Sequence, residues 1–336
     1  MKTRKAHHPF TGVIFGVAVS ALALVLVIRW TGWRALLTEL EQVDWRFVVL
    51  SALVYLISMS ARALSWRSIM SDQFTFFQTM GALNEGYLLN NLLPWRMGEI
   101  GRAILLGRKG RTSILGVLST IVVERTYDML LTVILLTVML PVAAGLPNLE
   151  RQAAVAAAVL VLAVVALLIG VFRPNWVRFI LKRMPGEPER WLGFWAQFEQ
   201  GLRVLRDPRT LIVSAIWMVI SWSLAGFQYW LMLQAVIPEA RLLWAFLMLA
   251  LTLLGVAVPS SPGYIGVFEA AGVLALSVFG VGRGEALAAT LLLHAMVLML
   301  ASGLGAVALA LEGETLHGLY LHVRNWLADG RENMVV

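Results

Sequence analysis

Two helix-breaking stretches are set among apolar runs, and this combination restricts the fold more than any other feature of the chain. The first is Asn90-Asn91-Leu92-Leu93-Pro94-Trp95-Arg96-Met97-Gly98-Glu99-Ile100-Gly101-Arg102, and the second is Pro259-Ser260-Ser261-Pro262-Gly263-Tyr264-Ile265-Gly266-Val267-Phe268-Glu269. Around them lie apolar runs at 10–28, 47–61, 129–144, 153–172, 211–236, 242–258 and 286–311, several long enough to cross a ~30 Å hydrocarbon core as helices. No strand-like alternation repeats along the chain, which argues against a β-barrel. The predicted fold is therefore an all-α polytopic transmembrane bundle. Backbone broken at membrane depth survives only where protein or a wet cavity satisfies its N–H and C=O groups, so each break predicts a re-entrant pair of short helices.

Composition agrees with this reading. With 59% hydrophobic and 14% charged residues and a mean hydropathy of +0.78, the chain is too apolar for a soluble globule. The absence of cysteine excludes a disulfide framework, iron–sulfur clusters and thiol catalysis. The net charge of +7 informs through its placement: segment 95–111 holds five basic residues against Glu99, and 173–209 holds eight against four acidic. This predicts a multi-pass protein of the cell inner (plasma) membrane with both termini, 95–111 and 173–209 in the cytoplasm. The first run follows Met1-Lys2-Thr3-Arg4-Lys5 and is read as a retained span, with Arg29-Trp30 at the interface.

The chain reads as a single membrane domain, 1–336. Residues 1–172 form a first half, 173–209 a cytoplasmic amphipathic linker, 210–312 a second half and 313–336 a cytoplasmic tail. Residues 32–45 are too charged to span and predict a short interfacial helix. Within 175–206, aromatic and basic positions alternate at helical spacing on both sides of Pro185-Gly186-Glu187-Pro188, which predicts two amphipathic helices on the inner leaflet. Each half repeats one pattern. A span (47–66) precedes a broken pair (74–93 and 97–107) and a long span (113–140); a span (210–236) precedes a second broken pair (242–258 and 262–281) and a long span (286–311). With the charge-derived orientation the pairs enter from opposite sides, as in an inverted repeat.

The breaks carry the candidate chemistry. Ser261-Pro262 reads as an N-cap followed by proline at the first helical position, with Ser260, Gly263 and Tyr264 beside it. Half-helix N-termini at such breaks offer free N–H groups and partial positive charge to an anion; the alternative is a proline kink in a packed helix. Arg96, Glu99 and Arg102 recur every three residues, so a helix over 97–107 lines them on one net-positive face able to fork onto phosphate oxygens. A snorkelling cytoplasmic rim is the competing account of these arginines. Asn90 and Asn91 supply amides for backbone freed at Pro94.

Glu124, Arg125 and Asp128 interrupt a membrane run at ion-pair spacing. Two acids against one arginine leave a negative charge over, to pair Arg96 or Arg62 or to carry a coupling proton; a purely structural ion-pair network is the alternative. Glu269, among apolar neighbours just past the second break, is a candidate proton carrier, while His294 reads as a helix-packing hydrogen bond. The His7-His8 and His317/His322 pairs lack partners for a metal, and no nucleotide fingerprint, catalytic elbow or HExxH occurs. No cofactor, no metal and no catalytic residue is expected, so the chain is read as a non-enzyme.

Three constellations, the Asn-Leu-Pro-Arg-Gly-Glu-Arg series over 90–102, Glu-Arg-x-x-Asp at 124–128 and Pro-Ser-x-Pro-Gly-x-x-Gly-x-x-Glu at 259–269, jointly resemble the flippase-like transmembrane domain of the lysylphosphatidylglycerol synthase/flippase family over roughly residues 10–312. The resemblance implies a bundle with re-entrant helices in a family that moves aminoacylated phospholipids, with relatives linked to polyprenyl-linked glycans or hopanoids. It also implies Arg96, Glu99, Arg102, Glu124, Arg125, Asp128 and Glu269 as cavity residues. Two departures stand out. The chain ends shortly after its last span, so it is not expected to carry the aminoacyl-transferase domain or to make lysyl lipid. Tyr264 stands where relatives often have glycine. The expected function is movement of an anionic or aminoacylated phospholipid or a polyprenyl-linked lipid between leaflets. The alternatives are an accessory membrane subunit that binds lipid-linked sugar phosphate for a glycosyltransferase, and a scaffold whose charges only lock helices. Membrane lipids are the expected partners, with room for a homodimer or association with a lipid-modifying enzyme, and no nucleic acid.

Overall fold

The computed structural model describes residues 33–92, 97–109, 112–139, 173–183, 188–257 and 262–315, with isolated positions between 155 and 169 and between 318 and 321. The first span at 10–28, most of the run at 153–172, Pro94, Arg96, Pro259, Ser260 and Ser261 lie outside the described residues.

The described residues form helices and no strand. In chain order they are α1 (Trp33–Glu41), α2 (Trp45–Ile69), α3 (Phe76–Leu92), α4 (Gly98–Gly107), α5 (Ile114–Met139), α6 (Pro174–Leu181), α7 (Pro188–Leu202), α8 (Pro208–Gln234), α9 (Leu242–Ala257), α10 (Val267–Ser277) and α11 (Arg283–Leu311). α2, α8 and α11, of 25, 27 and 29 residues, are apolar and long enough to cross a bilayer. α5 matches them with 26 residues but carries Glu124, Arg125 and Asp128. The members of the two broken pairs, 17 and 10 residues in α3 and α4 and 16 and 11 in α9 and α10, are too short to cross alone at 1.5 Å per residue.

Starts and stops follow local chemistry. The Asp44 carboxylate accepts from the Arg46 N–H at 3.0 Å where α2 begins. Asp207 caps α8, accepting from the Thr210 hydroxyl and from the N–H groups of Arg209 and Thr210, and these bonds, the hydroxyl first, hold its carboxyl below the usual range. Helices form where the sequence predicts them: α1 within 32–45, and α6 and α7 over 175–206, closed by a 3₁₀ turn at Arg203–Arg206.

α2 and α8 pack antiparallel along a seam of small polar residues. Ser51 donates to the Gln228 carbonyl at 3.0 Å, Ser58 to the Ser221 carbonyl at 2.9 Å and Ser65 to the Ser214 carbonyl at 2.8 Å. The serines of α2 recur every seven residues and so do their partners, which keeps one face of each helix on the other. In lipid, where apolar surface gives little drive for helices to associate, such close small-residue contacts hold the pair. On the outside, Val49, Leu53 and Ile57 of α2 and Ile212, Ile216 and Val219 of α8 stay exposed, as lipid-facing positions require.

The second half repeats the order of the first: long helix, broken pair, long helix. α3 runs antiparallel to α11, with Asn91 Nδ2 donating to Ser302 Oγ at 3.0 Å at one end and Gly81 facing Ala308 at the other. The two breaks meet where the backbone of Gly263 lies against the Asn91 carbonyl. One expected boundary moves. The helix predicted from Pro262 begins instead at Val267, because Gly263, Tyr264 and Gly266 all take left-handed backbone, with φ of 64°, 58° and 89°, and end the preceding 3₁₀ turn.

Candidate functional site

α4 returns so close to α3 that no side chain fits between them. A Cβ on Gly98 would lie 1.9 Å from the Gly86 carbonyl oxygen, and the Gly98 N–H donates to Asn90 Oδ1 at 2.8 Å. The Asn90 amide thus pairs backbone freed by the break. Gly98→Ala should force the hairpin apart and lower the thermal stability of the purified protein, by about 3 kcal/mol or more on the scale of severe overpacking. An unchanged melting temperature would show that the hairpin is looser than this contact implies.

This tight return carries Glu99 and Arg102 onto α5. Arg102 Nη2 lies 2.8 Å from Glu124 Oε2, with its guanidinium 4.5 Å above the Trp66 ring, whose Nε1 donates to Thr120 Oγ1 at 3.1 Å. Its side chain is 3% exposed, so the snorkelling account of Arg102 does not apply. From α2, Arg62 reaches both acids of α5: Nε donates to Glu124 Oε1 at 2.9 Å and Nη2 to Asp128 Oδ2 at 2.5 Å. Arg125 donates to Asp128 Oδ2 at 2.9 Å and stands 3.8 Å from Glu99 Oε1. The Trp222 indole of α8 donates to the other Asp128 oxygen at 3.2 Å.

Three arginines therefore face three carboxylates, and the net-positive face read from Arg96, Glu99 and Arg102 becomes, among the described residues, a balanced cluster. The balance has a physical cause: an uncompensated charge this deep would cost several kcal/mol. At 1.5 Å per residue, Arg62 lies about 10 Å from the end of α2 and Glu124 about 15 Å from the start of α5. Exposure grades across the cluster. The side chains of Arg62, Arg102 and Glu124 are 10%, 3% and 0% exposed, whereas those of Arg125, Asp128 and Glu99 reach 29%, 17% and 17%. The first three lock helices together, and the second three present both signs of charge at the accessible edge.

A second polar centre stands behind the other break. Glu269, the third residue of α10, accepts from the Gly266 N–H at 2.6 Å with one oxygen and meets His294 Nδ1 of α11 at 2.6 Å with the other. The Phe268 ring stacks on the imidazole with centroids 4.3 Å apart. Gly263 and Tyr264 form the turn in front of this pair.

Sequence reasoning placed Glu99, Arg102, Glu124, Arg125 and Asp128 in the cluster that the structure brings together, with Asn90 and Asn91 at the first break and Gly263, Tyr264 and Glu269 at the second. It gave no site role to Trp66, Thr120 or Trp222, and named Arg62 only as a partner for a surplus acid. A lone arginine within the run 47–66 was the available signal. A cavity of about 240 Å³ opens elsewhere, where α2 ends and α5 and α8 begin, lined among others by Met70, Ser71, Gln73, Thr112 and Thr210. None of the six charged residues of the cluster lines it, and Thr120 of its wall bonds to Trp66 behind Arg102. The cluster's polar geometry, and not this void, marks the candidate site.

A family model described as the lysylphosphatidylglycerol synthase TM region matches residues 13–305 of the chain. No curated protein and no solved structure matches it.

Proposed function

We propose that, since the chain belongs to the lysylphosphatidylglycerol synthase TM-region family, it moves a lipid between leaflets by taking the headgroup into the space between its two breaks. The tails stay in the bilayer. The observation that carries this reading is the accessible edge of the cluster, where Arg125 stands beside Asp128 and Glu99. A headgroup bearing a phosphate and an amine finds both counter-charges there: the Arg125 guanidinium for phosphate oxygens, and the two carboxylates for an ammonium. This favours an aminoacylated phospholipid over a purely anionic one. Arg96, Ser260 and Ser261 belong to the same breaks and are assigned to headgroup binding with Asn91, Gly263 and Tyr264.

The competing account, an accessory subunit holding lipid-linked sugar phosphate, needs a phosphate site but no acidic partner. The measurement that separates them is inward or outward movement of fluorescent lysyl-phosphatidylglycerol in sealed proteoliposomes, read by loss of protection from an impermeant quencher. Movement no faster than in protein-free vesicles ends the transport reading.

The orientation assigned here places 95–111, 173–209 and both termini in the cytoplasm of a plasma-membrane protein, from the Lys/Arg bias of those loops. Arg183→Cys, in a chain without cysteine, should resist an impermeant maleimide applied to intact cells and react once the membrane is opened. Labelling from outside would reverse the orientation.

A further inference from the structure

The Glu269–His294 pair is not needed to bind a headgroup, and its surroundings make its proton content consequential. Both side chains are nearly closed off, at 2% and 6% exposure, and Phe268 covers the imidazole. The titratable groups on the elements packed around them are engaged elsewhere or stand apart. α9 carries none. α8 brings Tyr229, bonded to Thr252. α2 brings Tyr55 and Arg62, the latter held by Glu124 and Asp128. α3 brings Tyr87 and also Glu85, six residues and roughly 9 Å before Asn91. α1 brings Glu39, whose near neighbour is Glu285 at the far end of α11. Arg283 is at that same end, and the turn itself adds Tyr264.

Proton bookkeeping follows from this isolation. With an imidazolium beside a carboxylate, or an imidazole beside a carboxylic acid, the pair is neutral in sum. Removing one proton leaves a single negative charge on the closed-off pair, with no counter-ion in its own shell. The turn next to the pair is strained, since Gly263, Tyr264 and Gly266 all sit at positive φ and tyrosine pays a steric penalty there that glycine does not. Its link to the pair is the Glu269 carboxylate on the Gly266 N–H.

We propose that Glu269 and His294 form a proton-binding site that latches the second break. While the pair holds its proton, Glu269 bridges His294 and Gly266 and the turn stays packed against Asn91. When the proton passes to water, the lone carboxylate draws water in and the turn opens. The proposal rests on the reading of the two breaks as the walls of the cargo space, and it assigns them a proton as the coupled ion.

The test reads the turn directly and does not depend on lipid movement. Ile265→Cys places a single thiol in the turn, and Glu239→Cys, in the exposed loop before α9, supplies a reference for the pH dependence of thiol reactivity. The ratio of their maleimide labelling rates should rise about fivefold or more between roughly pH 5.5 and 8.5, as the opened population grows. In Glu269→Gln and in His294→Gln backgrounds the ratio should be flat. A flat ratio in the Ile265→Cys chain with the pair intact overturns the proposal, as does a slope that survives in both variants. If lysyl-phosphatidylglycerol does not move in vesicles while the slope is present, the latch stands and the cargo reading falls. If lipid moves and the ratio is flat, the cargo reading stands and the latch falls.

Discussion

Arg62→Ala should leave little folded protein. Arg62 joins α2 to both acids of α5, and its removal strips Glu124 of one of its two close cations and Asp128 of its shortest bond. Glu124 gains no water in exchange, because it is fully buried. Breaking a buried pair by deleting one partner costs about 3–5 kcal/mol, which for a chain of 336 residues translates to a loss of roughly 4–7 °C in melting temperature. Arg62→Lys should recover only part of this, since an ammonium is a point charge and does not span two carboxylates as a guanidinium fork does. The measurement is thermal unfolding of the detergent-purified variants, followed by size-exclusion fluorescence. Wild-type melting of Arg62→Ala would mean that water reaches these acids and that the cluster is no helix lock.

Arg125→Ala should give the opposite phenotype, a folded protein that fails to transport. Its side chain is the most exposed of the three arginines, and Asp128 keeps its bonds from Arg62 and Trp222 when Arg125 is gone. Charge-assisted hydrogen bonds to a headgroup phosphate are each worth about 1.5–3 kcal/mol, so the rate of lysyl-phosphatidylglycerol movement should drop by about ten- to a hundredfold. Arg125→Lys should fall between, because it keeps the charge and loses the fork. Wild-type rates in Arg125→Ala would remove this residue from the headgroup site, and a collapse in stability as large as that of Arg62→Ala would make it structural.

The contrast between these two arginines shows where sequence reasoning reached and where it stopped. The helical class, the two broken pairs and the amphipathic helices α6 and α7 were all legible, because each depends on local signals: run length, proline and glycine placement, and the alternation of tryptophan with basic residues. Glu124, Arg125 and Asp128 stood out for the same reason. Their partners did not. Arg62 is 62 residues before Glu124, and only the packing of α2 on α5 joins them; His294 is 25 residues beyond Glu269, and read alone it suggested a packing contact. The start of α10 was misplaced by a strong local cue. Ser261-Pro262 has the residue types of a helix start, yet Gly263 and Gly266 turn left-handed, and the helix begins only where Glu269 can reach back to the Gly266 N–H. The serine seam had no sequence reading at all, because a spacing of seven in α2 gains meaning only beside the matching spacing in α8.

The balanced cluster also bears on how the chain is put together in the membrane. On its own, α5 is a poor candidate for insertion: each of its three ionised groups costs about 2.5–3.5 kcal/mol near the bilayer centre. Its ionic partners, Arg62, Glu99 and Arg102, all lie upstream, so each has been synthesised before α5 leaves the ribosome. α2 and the first hairpin can thus wait in the bilayer as a receptor for α5, and the helix that could not partition alone is handed to them. Trp222, on a helix made later, then closes over Asp128. The order of the helices along the chain is in this sense an assembly instruction, with the charges read out one insertion at a time.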